Sequence, residues 1–155
     1  MDDASLEVHE LLGSFTNTFL VRWPEAAIAS FAARWPDLTE EEAGYGHLAE
    51  AYDIACRVAE AQPAVIESDE LAADPPGVIA AWCAAVGIEY LPEALTWEAG
   101  MIDQWRLWEE WYEGVAESTG FRPPSGRVRP PVHDPRLRAI VERADPVYER
   151  LRPTG

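Results

Sequence analysis

The sequence predicts an α/β fold, mostly helical, with about two parallel strands. Three observations carry that expectation. Two short apolar runs, TNTFLVR at 16–22 and AVIES at 64–68, have the length and β-branched content of buried strands. Two stretches of helical periodicity separate them, which is the order of an α/β unit. Prolines and glycines punctuate the pattern where helices begin and end.

Taken in order, residues 5–15 predict a short helix, and the strand at 16–22 ends at an Arg-Trp-Pro break. Pro24 suits the first helical position, so 25–35 read as an Ala-rich helix stopped by Pro36. Thr39 and Glu42 have capping-box spacing. Tyr45, Leu48, Tyr52, Ala55 and Ala59 then keep three-to-four spacing, predicting one long amphipathic helix towards Pro63. After the second strand, Asp74 and Pro75 open a helix bearing Val78, Ile79, Trp82, Cys83 and Val86, closed by Gly87. Met101, Trp105, Trp108, Tyr112 and Val115 share a stripe over 101–116. A Pro/Arg-rich loop covers 122–133; Asp134-Pro135 starts a helix to about Ala144, and Asp145-Pro146 is expected to restart it. The 155 residues are expected to form one domain. Two strands are few for a free-standing sheet, so a partner chain is expected to complete it.

Composition narrows the function. Apolar residues make up 48% and charged residues 26%, which is globular rather than disordered. No apolar run approaches the ~20 residues of a membrane span, and MDDASLEVHE lacks a basic region followed by an apolar stretch. A soluble, unexported, cytoplasmic protein is expected. Cys56 and Cys83 sit in apolar helical patterns and read as reduced core residues, without C-x-x-C spacing. His9, His47 and His133 are scattered, so no metal is expected.

Charge sets a further limit. The net charge is −16, and all 12 basic residues are Arg. Residues 1–121 hold 4 Arg against 24 acids, whereas 122–155 hold 8 Arg against 4 acids. This surface repels nucleic acid and anionic membranes. An anionic ligand needs a local Arg cluster, for which Arg22 and the tail are the candidates. For most of the carboxylates, solubility is sufficient explanation.

The segment FLVRWPEAAIASF at 19–31 carries the sharpest chemical signal. A strand ends at Arg22, a helix begins at Pro24, and Ser30 stands ~9 Å along that helix. A guanidinium fork and a hydroxyl, beside helix N-terminal amides, suit one phosphate. The plainer alternative is a surface salt bridge and a helical Ser facing a carbonyl.

This segment resembles the 3′-phosphate-binding motif of sulfotransferases that use 3′-phosphoadenosine 5′-phosphosulfate (PAPS). In that motif a strand is followed by Arg, Asp or Asn, Pro, and a Ser eight residues after the Arg. Arg22, Pro24, Ser30 and Phe31 match it residue by residue. AVIESDELAADPPGVIAAWCAAVGIEYLPEALTWEAG is similar to the family's second strand, helix and loop, and EEWYEGVAESTGF to its Trp-rich helix and turn. The resemblance spans roughly 11–121 and, more loosely, the last helix. It implies a P-loop sulfotransferase-like fold, with Arg22 and Ser30 binding the nucleotide.

Two departures qualify it. Trp23 replaces the family's Asp or Asn at a helix cap; it is expected to pack, or alternatively to stack on the nucleotide base. The family's strand, Gly/Ser-rich turn and helix that hold the 5′-phosphosulfate have no counterpart here. Ser125-Gly126-Arg127 is too closely flanked by prolines to serve, and His9 lies too near the first strand to be the family's catalytic base. The resemblance therefore implies the C-terminal half of a split enzyme, a heterodimer inactive without its partner. That pair would move a sulfonate from PAPS to a hydroxyl of a small molecule, and the catalytic residues are expected on the partner. Sulfation could itself activate the product for elimination or ring closure. The Lys-free, Ala/Arg-rich composition suggests a high-GC bacterium and specialised metabolism. Arg127 and Arg129 could close over the nucleotide, or be solvated charge. Trp97, Trp105, Trp108, Trp111 and Tyr112 read as core, with an acceptor pocket or partner contact as alternatives. Glu40, Glu41 and Glu42 read as an acidic first helical turn. The rival readings are a non-catalytic scaffold subunit and a self-sufficient helical domain with an unrelated site.

Overall fold

Both expected strands form, β1 at Thr18–Val21 and β2 at Ala64–Glu67, and they pair in parallel with Thr18 opposite Ala64 and Val21 opposite Glu67. The computed structural model describes residues 3–59, 62–122 and 132–153. The chain is an α/β protein, mostly helical. It divides into two compact units: Met1–Asp69 with Val128–Gly155, and Glu70–Arg127.

In the first unit, α1 spans Asp3–Gly13, and α2 (Pro24–Ala32) follows β1 directly with Pro24 in its first turn. Trp23 occupies the N-cap but gives no side-chain capping hydrogen bond, since an indole has no acceptor for a helix amide. The Thr39 and Glu42 capping box is present in full, with the Thr39 side chain accepting from the Glu42 amide. It opens only the single turn α3, Glu40–Ala43. Gly44 adopts a left-handed φ of 77°, so the chain turns before α4 begins at Tyr45 and runs to Val58. The single long helix expected here is thus two. A helix of one turn is too short to propagate past a residue that needs neither helical φ nor a side chain.

The second correction concerns α8, Pro135–Leu151, which runs unbroken through Pro146 instead of restarting there. Pro146 removes the bond to the carbonyl of Glu142. Both residues are exposed, so water can satisfy that carbonyl. The cost of ~3 kcal/mol is offset because α8 buries Ile140, Val141, Ala144, Tyr148 and Leu151 along one face.

Those residues build two adjoining cores. Ile28, Leu38, Val132, Ile140, Val141 and Ala144 form one. Val21, Tyr148 and Leu151 form the other, with Trp23, Leu48, Tyr52 and Val65 packed against it. Tyr45 packs against both. Among the described residues, the two faces of the sheet are covered unequally. Phe19 meets the Tyr52 ring edge-on at 5.3 Å, while Leu20, on the opposite face, is 58% exposed.

Most arginines of α8 serve this unit. Arg136 donates to the carbonyls of Pro36 and Leu38, Arg138 to that of Val132, Arg143 pairs with Glu40, and Arg150 donates through one nitrogen to both Asp53 carboxylate oxygens and through the other to the Ala49 carbonyl. Arg152 pairs with Glu149 and lies over the Tyr148 ring. The basic excess on this helix is therefore spent on acidic and carbonyl partners within the same unit, and is not a separate anion cluster.

In the second unit, α6 (Pro75–Val86) is capped by the Asp74 side chain and closed by Gly87 at φ 75°. It follows α5 (Ser68–Ala73), a helix that starts directly after β2. Short 3₁₀ turns occupy Pro92–Leu95 and Asp103–Trp108, and α7 spans Glu109–Ala116. The stripe expected over 101–116 is thus half 3₁₀, yet Trp105 and Tyr112 still stack at 5.0 Å. The side chains of Trp108 and Trp111 lie outside the described portion. Trp97 closes the loop: its indole N–H donates to Ser118 Oγ at 3.0 Å, its amide to the Thr119 carbonyl, and its ring meets Phe121 edge-on. Cys56 and Cys83 are both free thiols.

Candidate site at the strand carboxyl ends

In parallel sheets ligands gather where strands end, because loops leave there and helix N-termini point back. Here β1 and β2 end together at Val21 and Glu67. Arg22 is the first residue beyond the ladder, and α2 begins two residues later. Its side chain is exposed, and among the described residues its guanidinium has no ion-pair partner. In a chain this acidic, an exposed arginine without a carboxylate partner keeps its donor fork available.

Ser30 is on α2, two residues past the buried Ile28, so it sits on the side of the helix away from the core and is exposed. Arg22 and Ser30 make no hydrogen bond to each other. They flank the start of α2, one before its first turn and one in its second. Trp23 is half-buried and packs against the Val21–Tyr148–Leu151 core, the packing alternative drawn from the sequence. Arg127 and Arg129 lie outside the described residues.

Behind this surface is a polar cluster that sequence reasoning missed. The Tyr45 hydroxyl donates to the Arg22 carbonyl at 2.6 Å. Glu67 is only 3% exposed, and its carboxylate accepts from the Asp69 amide at 2.7 Å and from the Tyr148 hydroxyl at 3.3 Å. Burial, and then the Glu67 charge, push the Tyr148 phenol up to about 12. Burial also raises Tyr45 far above the ordinary tyrosine range, and the Arg22 cation is close enough to oppose that rise. Both phenols are therefore neutral donors at physiological pH. The one available signal was Glu67 itself, a carboxylate inside an apolar strand. Tyr45 offered none, since its spacing reads as an ordinary helix stripe.

Other candidates fall away on charge. A shallow depression lined by Glu40, Glu41, Gly46, His47 and Glu50 is acidic and repels an anion. Among the described residues no group of three His, Cys, Asp or Glu could hold a metal ion, and no helix is long and apolar enough to cross a membrane.

The family model for a sulfotransferase domain matches residues 7–153. Two curated proteins of Arabidopsis thaliana, branched-chain-amino-acid aminotransferase-like proteins 2 and 1, are 32% and 34% identical to this chain over 146 residues. Those matches cover 92% of this chain and 25% of each relative, so the chain spans about a quarter of the length of the curated relatives it matches. No solved structure matches. With nearly its whole length inside one family model, the chain belongs to the sulfotransferase domain family.

Proposed function

We propose that this chain is the nucleotide-binding half of a two-chain sulfotransferase. It grips the 3′-phosphate of PAPS with Arg22 and Ser30 and contributes part of the acceptor pocket. The observation that carries this reading is the exposed Arg22 guanidinium, unpaired among the described residues, where two parallel strands end and α2 begins. Ser30 adds a hydroxyl on the outer side of the same helix, and the first amides of α2 add positive potential.

Nothing in these 155 residues reads as a strand, Gly/Ser turn and helix that would hold the 5′-phosphosulfate. In this proposal a partner polypeptide brings that loop and the base. The acceptor hydroxyl oxygen attacks sulfur, the bond from sulfur to the bridging phosphate oxygen breaks, and the acceptor proton passes to the partner's base. Adenosine 3′,5′-bisphosphate leaves, still held by this chain. The two-stranded parallel sheet supports such a partner. Parallel sheets are normally covered on both faces, and here Leu20 is left exposed.

The test is sulfonate transfer by this chain co-purified with a polypeptide carrying the phosphate loop. Arg22→Ala should raise the KM for PAPS about tenfold or more, consistent with loss of a charge-assisted phosphate contact. Unchanged donor KM and turnover in that variant would remove the clamp assignment.

A further inference from the structure

The ladder between β1 and β2 ends at Val21, so no strand partner stands opposite Arg22 to serve its carbonyl. The helix that follows does not serve it either. Trp23 gives no side-chain cap, Pro24 has no N–H, and the Ala27 amide bonds to Trp23 rather than to Arg22. Among the described residues, the donor that reaches the Arg22 carbonyl is the Tyr45 hydroxyl, at 2.6 Å across 23 residues of chain.

Tyr45 is well placed to act as a fixed post. It follows the left-handed Gly44 directly, and its ring packs against both cores, that of Ile28 and Leu38 and that of Val21 and Tyr148. Its phenol stays protonated, because burial and the neighbouring Tyr148, Asp145 and Glu67 outweigh the Arg22 cation. A donor held this firmly sets the plane of the peptide between Arg22 and Trp23. That plane sets the direction in which the Arg22 side chain leaves the backbone.

We infer that Tyr45 is a positioning residue for the nucleotide site, orienting Arg22 towards the phosphate through its carbonyl without touching the ligand itself. The inference rests on the clamp reading of Arg22. A lost orienting hydrogen bond of ordinary strength corresponds to about fivefold in affinity.

The test uses the full chain with Tyr45→Phe, which keeps the ring and removes only the hydroxyl. Arg22→Ala and Tyr148→Phe serve as controls. Binding of adenosine 3′,5′-bisphosphate and of adenosine 5′-monophosphate is followed by NMR titration. Tyr45→Phe should weaken the bisphosphate about fivefold and leave the monophosphate, which has no 3′-phosphate, unchanged. Tyr148→Phe removes a hydroxyl from the same cluster without a bond to Arg22, so it should share any loss of stability but keep bisphosphate affinity. If Arg22→Ala does not weaken the bisphosphate, the clamp reading fails. If it does while Tyr45→Phe does not, Tyr45 has no positioning role and the clamp survives. A ligand-free readout decides the matter even where neither probe binds: Tyr45→Phe should lower the ¹⁵N order parameters of the Arg22 amide and Nε–H group. Unchanged values there overturn the inference.

Discussion

The two units are stabilised in different ways. Of the twelve hydrophobic residues buried among the described ones, eleven belong to the unit containing the sheet and α8, and only Cys83 to the unit of residues 70–127. The first is held by a shared apolar interior. Among the described residues, the second shows instead aromatic pairs and a hydrogen-bonded closure around Trp97, and it leaves Ile88, Leu91, Ile102, Leu107 and Val115 exposed. The difference teaches where to look for chemistry. An arginine at a strand end can be aimed only if its backbone is anchored in something rigid, and that anchorage exists in the first unit.

The contrast can be tested by substitution. The largest effect should come from Ile28→Ala, which empties a site 1% exposed between α2 and α8. Urea unfolding should show a loss of about 2–5 kcal/mol. A loss under 1 kcal/mol would mean that this interior is not the main source of stability.

Next is Tyr148→Phe, which removes one donor from the buried Glu67 carboxylate and should cost about 1–3 kcal/mol at neutral pH. It also carries a pH signature. The folded chain holds the Tyr148 phenol at about 12, against 10.0 for a free tyrosine. Folding thus favours the neutral phenol. Its contribution is complete below pH 10 and disappears as pH climbs to about 12. Wild-type stability should fall over that interval, and the variant should fall less steeply.

Ser118→Ala should be milder, about 1 kcal/mol, since it removes the acceptor of the Trp97 indole N–H from a loop with little apolar interior. Hydrogen exchange should quicken at the amides of Trp97 and Gly100, which bond to Thr119 and Ala116. Unchanged exchange there would show that the loop has another closure. Arg22→Ala should have the smallest stability effect, within about 0.5 kcal/mol by thermal unfolding, because the side chain is exposed and unpaired among the described residues. A large loss would assign Arg22 to structure rather than to ligand.

What the sequence disclosed follows the range of the interactions involved. Both strands, the Pro24 start, the capping box, the Asp74 cap and the Gly87 stop were legible because each depends on neighbours a few residues apart. The turn at Gly44 and the passage of α8 through Pro146 were not. The first depends on how short α3 is, and the second on packing against α2 and Leu38, about a hundred residues away. The site divides in the same way. The positions of Arg22 after β1 and Ser30 on α2 follow from local pattern, whereas the Tyr45 and Tyr148 hydrogen bonds join distant segments that no periodicity brings together.

The first unit is discontinuous, with residues 70–127 inserted between β2 and α8. In any polypeptide carrying this chain, a ribosome therefore delivers β1, α2 and β2 long before Val132, Ile140, Val141 and Ala144 emerge to cover Ile28 and Leu38. Until then the nascent segment exposes the apolar surface that α8 will later cover. α8 must therefore emerge before the platform beneath Arg22 can consolidate, which makes the growing chain a natural client for chaperones.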